Sequence, residues 1–193
     1  YTDSVKGMKE QYGLDVLNSL NVNNTYTLST TKEIAEQYGL ETISDLKKIG
    51  GPVTICSTLA FMNREDGLLG VEDRYGINFN KVGVDGSARY TALMSGEGQV
   101  IDAYSTDGLL KKFDLVILED DQGVFPPYYA VPVFREEIME QYPEIADVTE
   151  ALAGVLSTDT MAELNYLVDE EGQKAEEVAH NFLVENLPEY ARK

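Results

Sequence analysis

The stretch D-A-Y-S-T-D-G (residues 102–108), then the apolar run L-V-I-L (115–118), the acidic turn E-D-D (119–121) and F-P-P-Y-Y (125–129), carries the reading of this chain. Tyr104 closes one apolar run, begun by Val100 and Ile101. Tyr128 and Tyr129 follow a Pro-Pro step whose φ angles are fixed by the rings. Tyrosines at strand ends and beside stiff turns stand where a pocket can form, or where a core needs filling.

Outward from this stretch, strand and helix signals alternate. Residues 3–13 read as a helix, with Asp3 or Ser4 as its cap and Gly13 as its stop. Residues 15–28 read as extended, with an Asn-rich break at 21–24. Thr30 or Thr31 caps a helix to Gly39, and Ser44 caps a short one to Lys48. Gly50-Gly51-Pro52 is a turn, and 53–56 a buried strand. Asp66-Gly67 opens a helix ending near Tyr75-Gly76; 80–84 is extended; 87–95 is a helix stopped by Gly96. Residues 99–104 and 115–118 are strands, and A-V-P-V-F (130–134) is another. From Arg135 onward the pattern is mostly helical, with Pro143, Gly154 and Gly172 as breaks. This alternation predicts a layered α/β fold with a largely parallel sheet.

A chain of 193 residues is long enough for one large domain or two small lobes. It carries 34 acidic against 15 basic residues, a net charge of −19. Such a surface repels nucleic acid and anionic membrane, and mildly favours cationic ligands. The single cysteine, Cys56, lies in V-T-I-C and reads as a small buried hydrophobe. No apolar run approaches the length of a membrane span.

Familiar catalytic signatures are missing. The single histidine, His180, excludes multi-histidine metal sites and makes histidine-based catalysis a poor expectation. There is no Walker A loop, no dinucleotide glycine fingerprint and no G-x-S-x-G elbow. Glu119-Asp120-Asp121 lacks the alternating spacing of a calcium loop and reads as a solvated turn. Glu65-Asp66 opens a helix, where acidic side chains complement the dipole. No enzyme, metal or cofactor is expected.

The chain does hold 12 tyrosines and no tryptophan. Tyr26, Tyr104 and Tyr128 all sit at strand or turn boundaries. Aromatic faces attract cations through the ring quadrupole, and quaternary ammonium groups are held by several such faces together. Core packing is the competing explanation for each ring.

A set of motifs, in order along nearly the whole chain, identifies a resemblance. They are N-N-T-Y-T-L (23–28), T-I-S-D-L (42–46), N-R-E-D-G (63–67), R-Y-T-A-L (89–93), D-A-Y-S-T-D-G (102–108), L-E-D-D (118–121), F-P-P-Y-Y-A-V-P (125–132) and L-N-Y-L-V-D (164–169). Together they resemble the substrate-binding proteins of osmoprotectant ABC importers, which bind glycine betaine, carnitine and choline. The resemblance implies an α/β, periplasmic-binding-protein-like fold of type II, with two hinged lobes enclosing the ligand. Residues 1–20 and 121–193 would form lobe one, and 21–120 lobe two. Lobe one is expected to be incomplete, because the chain opens at Tyr1 inside a helical pattern where the family has an earlier segment. Apolar surface left where such strands would pack would favour a dimer.

The resemblance also implies site residues. Tyr26, Tyr104 and Tyr128 would form the aromatic cage, with Tyr1 as a further tyrosine. Asn24 and Thr25 would offer polar contacts to a ligand carboxylate or hydroxyl, and Thr106 another. Arg64, at the opening of a helix, would attract an anionic tail; an ion pair at the surface or between the lobes is its alternative. Tyr90 and Tyr129 are expected to pack structurally. The implied partner is a membrane permease. The implied location is the outer face of a bacterial cell membrane, by lipid anchor or permease fusion, or the periplasm where an outer membrane exists. T-L-A-F-M-N-R-E-D-G (58–67) also resembles the ergothioneine-binding branch, and a sensory module reusing the fold is a further alternative.

Overall fold

The computed structural model describes residues 2–191. In chain order the elements are α1 (Thr2–Tyr12), β1 (Leu14–Val16), β2 (Tyr26–Thr30), α2 (Lys32–Tyr38), a 3-10 helix (Ile43–Ile49), β3 (Val53–Ser57), α3 (Leu59–Met62), α4 (Leu68–Tyr75) and β4 (Phe79–Gly83). There follow α5 (Ala88–Met94), β5 (Val100–Tyr104), α6 (Gly108–Lys112), β6 (Val116–Leu118), β7 (Val133–Arg135), α7 (Glu136–Gln141), α8 (Ile145–Val155), α9 (Thr158–Asp169) and α10 (Ala175–Asn186). They divide into two compact units, one made of the residues up to Asn24 and from Tyr128 on, the other from Thr25 to Pro127.

The second unit is built on a five-stranded sheet in the order β4-β3-β5-β2-β6. β3 runs parallel to β4 and β5, while β2 is antiparallel to both β5 and β6. The expectation of a largely parallel sheet therefore holds with one strand reversed, the strand by which the chain enters the unit. Helices cover both faces, so its central strands are almost wholly buried, and the polar residues they carry, among them Ser29, Ser57 and Asp102, are buried with them. Along β5, Val100 joins one core layer, with Leu28, Ile55, Phe61, Leu68 and Tyr75. Ile101 and Ala103 join the other, with Cys56, Tyr90, Leu93 and Leu110. Cys56 is fully buried, as its sequence context implied.

Local signals fix the helix ends. Thr31 Oγ accepts the Ile34 N–H to start α2, and Gly39 ends it in the left-handed conformation at φ 62°, which glycine adopts without a Cβ penalty. Two helices escaped the sequence pattern, α3 and α6, of 4 and 5 residues. A single turn is too short to show a 3.6-residue period.

The first unit holds the two-stranded antiparallel ribbon β1–β7, with Asp15 opposite Phe134. Pairing continues irregularly through Ala130 N–H to Val22 O, an Asn23–Tyr129 bridge and Asn24 N–H to Tyr128 O. α7 to α10 supply the expected helical tail. Pro143 and Gly172 do separate helices, but Gly154 lies inside the last turn of α8, which runs on to Val155. No helix among the described residues is long and apolar enough to cross a membrane.

Candidate functional site

β2 and β5 bring Tyr26 and Tyr104 together as register partners. Directly opposed residues of an antiparallel pair point to the same side of the sheet. Their ring centroids lie 4.9 Å apart at 31°, and their hydroxyls meet at 3.4 Å. The Tyr26 ring continues onto Phe61 at 5.0 Å and Phe125 at 6.4 Å. The Arg64 guanidinium stands over the Tyr26 ring, 5.7 Å from its centroid. Arg64 Nε and Nη2 both donate to the Asp66 carboxylate at 2.7 Å, a planar two-point pair.

Tyr26 is only 8% exposed. Burial, and then the hydrogen bond to Tyr104, push its phenol up to about 12. The ring is neutral at physiological pH, and its π face carries the negative potential that attracts cations. Tyr104 is the more accessible of the pair.

Three carboxylates hold this arrangement. Asp102, 1% exposed, lies two residues before Tyr104 on β5. Its Oδ1 accepts the Thr58 N–H at 3.0 Å and its Oδ2 the Thr58 hydroxyl at 3.1 Å. Thr58 Oγ in turn caps α3 by accepting the Phe61 N–H. Asp102 thus anchors the helix that places Phe61 under Tyr26. Asp107 accepts from the Tyr104 N–H, Arg89 Nη2 and the Tyr90 hydroxyl. Asp120 accepts the Tyr75 hydroxyl at 2.5 Å and the Phe125 N–H at 2.7 Å, fixing the loop that carries Phe125. The acidic turn is solvated as expected, with Glu119 and Asp121 exposed, but it is also bonded: Asp121 accepts from the Ser44 N–H and hydroxyl.

The other expected residues fall as follows. Thr25 donates its N–H to Ser105 Oγ at 3.1 Å and its hydroxyl to Pro126 O at 2.9 Å. Thr106 is buried. Asn24 and Tyr128 lie in the first unit, paired through the Asn24 N–H and Tyr128 O, and the Tyr128 ring is exposed. Tyr1 lies outside the described residues. Tyr90 packs in the core as expected. Tyr129 does not: its backbone bridges to Asn23 while its side chain is 53% exposed. Sequence reasoning missed Phe61, Phe125, Asp102, Asp107 and Arg89. A lone Asp at an inward position of V-I-D-A-Y was the available signal for Asp102. No group of three or more candidate metal ligands occurs among the described residues.

The comparisons with known proteins agree with one another. A family model for the substrate-binding domain of ABC-type glycine betaine transport systems matches residues 1–185. The glycine-betaine-binding protein of Pseudomonas aeruginosa is 36% identical, over 94% of this chain and 62% of its own length. The ergothioneine transport permease/ergothioneine binding protein EgtU of Helicobacter pylori is 34% identical, over 92% of this chain and 32% of its own. The chain thus spans about three-fifths of the first of these relatives and about a third of the second. A crystal structure of a glycine betaine/carnitine/choline ABC transporter superposes with a TM-score of 0.87 at 35% identity, covering 95% of this chain and 68% of that one. The fold is accordingly α/β, of the type II periplasmic-binding-protein class.

Proposed function

The chain belongs to the family of substrate-binding domains of ABC-type glycine betaine transport systems, a family of transport binding proteins rather than enzymes, and from that premise we propose that it captures a small quaternary-ammonium solute for an ABC importer. The observation that carries this reading is the Tyr26–Tyr104 pair, two rings held in register and packed on each other at one end of a buried sheet, with Tyr104 the more accessible. A trimethylammonium group has no N–H to donate, so an open aromatic face suits it better than hydrogen-bond acceptors. Arg64, beside Tyr26, is the candidate for an anionic tail such as a betaine carboxylate, in exchange for part of its pairing with Asp66. Thr25 and Thr106 are candidate polar contacts from the same unit. Asn24 and Tyr128 are candidates from the other, and Tyr1 completes the set.

In this reading the two compact units are the two lobes. The domain works outside the cell membrane with a permease, either as a separate anchored protein or fused to it. The relatives give no support to the expected dimer. A second reading, ergothioneine, is favoured by the 34% identity to the Helicobacter pylori protein. Ergothioneine is itself a trimethylammonium betaine, so the same ring faces serve it. Calorimetric titration of the full-length protein with glycine betaine, carnitine, choline and ergothioneine tests both readings. Saturable binding of one or more is expected, and the ranking separates the two. Heats no larger than dilution for all four would overturn the proposal.

A further inference from the structure

Asp107 makes an unusual set of bonds. Its Oδ2 accepts the Tyr104 N–H at 3.1 Å, Arg89 Nη2 at 2.9 Å and the Tyr90 hydroxyl at 2.7 Å, and its own N–H donates to Tyr104 O at 2.9 Å. One residue therefore satisfies both backbone groups of Tyr104. Behind it Arg89, 5% exposed, spends its other donors on backbone: Nε on Asp102 O and Nη1 on Gly86 O, both at 2.6 Å. The guanidinium also stands 5.0 Å from the Tyr90 ring centroid. A buried guanidinium fork tied at three points cannot pivot without exposing an unpaired charge to the core.

We propose that Asp107, locked by Arg89, is a positioning residue that sets the angle of Tyr104 against Tyr26 and so tunes the affinity of the ring pair for a quaternary ammonium group. Asp107 need not touch the ligand; it acts through the last residue of β5. The inference rests on the reading of the Tyr26–Tyr104 face as the ligand face.

The test is a double-mutant cycle on the full-length protein, with glycine betaine, carnitine, choline and ergothioneine as probes and the tightest binder carried through. Asp107→Ala should weaken binding on the order of tenfold when Tyr104 is present. In a Tyr104→Ala background it should weaken binding less than about twofold, because the two residues act as one. Asp107→Asn, which keeps a carbonyl acceptor for the Tyr104 N–H, should restore most of the loss. If Asp107→Ala does not fold, Arg89→Leu/Asp107→Ala removes the stranded charge and carries the same expectation. Equal weakening in both backgrounds, or none with Tyr104 present, overturns the proposal. If no probe binds the wild-type protein, the functional reading fails instead. The positioning claim is then read without ligand by ¹⁹F NMR of 3-fluorotyrosine-labelled protein. The Tyr26 and Tyr104 resonances, assigned with their Phe variants, should move in Asp107→Ala; unmoved resonances overturn it.

Discussion

The two units differ in where their most buried and most exposed aromatic rings fall, though each also holds half-buried ones, such as Phe125 in one and Tyr166 in the other. Between Thr25 and Pro127, Tyr26, Phe61, Tyr75, Phe79 and Tyr90 are all buried. In the other unit Tyr12, Tyr128, Tyr129, Tyr142 and Tyr190 are all exposed. Its helices bury little: Ala153 on α8 and Val178 on α10, with no buried residue on α7 or α9. A ring fixed by core packing has already lost its rotamer entropy, whereas an exposed ring loses it on binding. In the proposed reading, Tyr26 and Tyr104 would supply the preorganised part of recognition and Tyr128 an adaptable contact.

The sharpest way to break this comparison is to remove a ring from each unit. Phe61→Ala, at a fully buried position against Tyr26, should destabilise the protein by about 3–5 kcal/mol, whereas the exposed Tyr142→Ala should stay within about 0.5 kcal/mol. Denaturant unfolding of both variants measures this; similar values would mean that the two units are packed alike.

Asp102→Ala comes next. It leaves the half-buried Thr58 N–H and hydroxyl without their acceptor and loosens the cap of α3, at about 1–3 kcal/mol. The same unfolding experiment reads it, and a neutral result would show that α3 does not depend on β5.

Binding separates the units on a finer scale. Tyr104→Ala should lose about 1–2 kcal/mol of affinity for the quaternary amine, while Tyr104→Phe keeps most of it. A Phe variant as damaged as the Ala variant would shift the weight from the ring face to the hydroxyl.

Near neutral pH the last effect vanishes, and it appears only in alkali. Burial raises the phenols of Tyr26, Tyr75 and Tyr90 above the ordinary tyrosine value, Tyr26 to about 12. A raised folded value means the neutral phenol is favoured in the native state. Its contribution is therefore complete below about pH 10, the unfolded value, and is lost as pH rises through the folded values. Stability measured by urea unfolding should fall from about pH 10 upward, and Tyr26→Phe should fall less steeply than wild type. A flat profile to pH 12 would contradict this burial.

Much of the fold was legible because strands such as β3, β5 and β6 are short, largely apolar runs bounded by turn and capping residues, as at Gly50-Gly51-Pro52 before β3. The reversal of β2 was not, since strand direction leaves no mark on a two-residue period. Tyr26 and Tyr104 were both readable as strand-end tyrosines. Their pairing depends on register, which the separate patterns of Y-T-L-S-T and V-I-D-A-Y do not state. Arg89 looked like an ordinary helix residue in R-Y-T-A-L. Its burial is visible only once α5 is laid beside the end of β5, where Asp107 meets it. Phe61 and Phe125, 64 residues apart in contact at 5.9 Å, owe their meeting to the loop that Asp120 fixes.

The central claim is that the positive charge of the ligand is read by ring faces. It is tested most directly by comparing the tightest of the four quaternary amines with its carbon isostere, the same molecule with the quaternary nitrogen replaced by carbon. For glycine betaine the isostere is 3,3-dimethylbutanoate. Shape and tail are conserved, and only the charge on the head is lost. Calorimetry should show the amine binding on the order of tenfold or more tightly than its isostere, with the gap narrowing in Tyr104→Ala. Equal affinities for the charged and neutral heads would contradict the account.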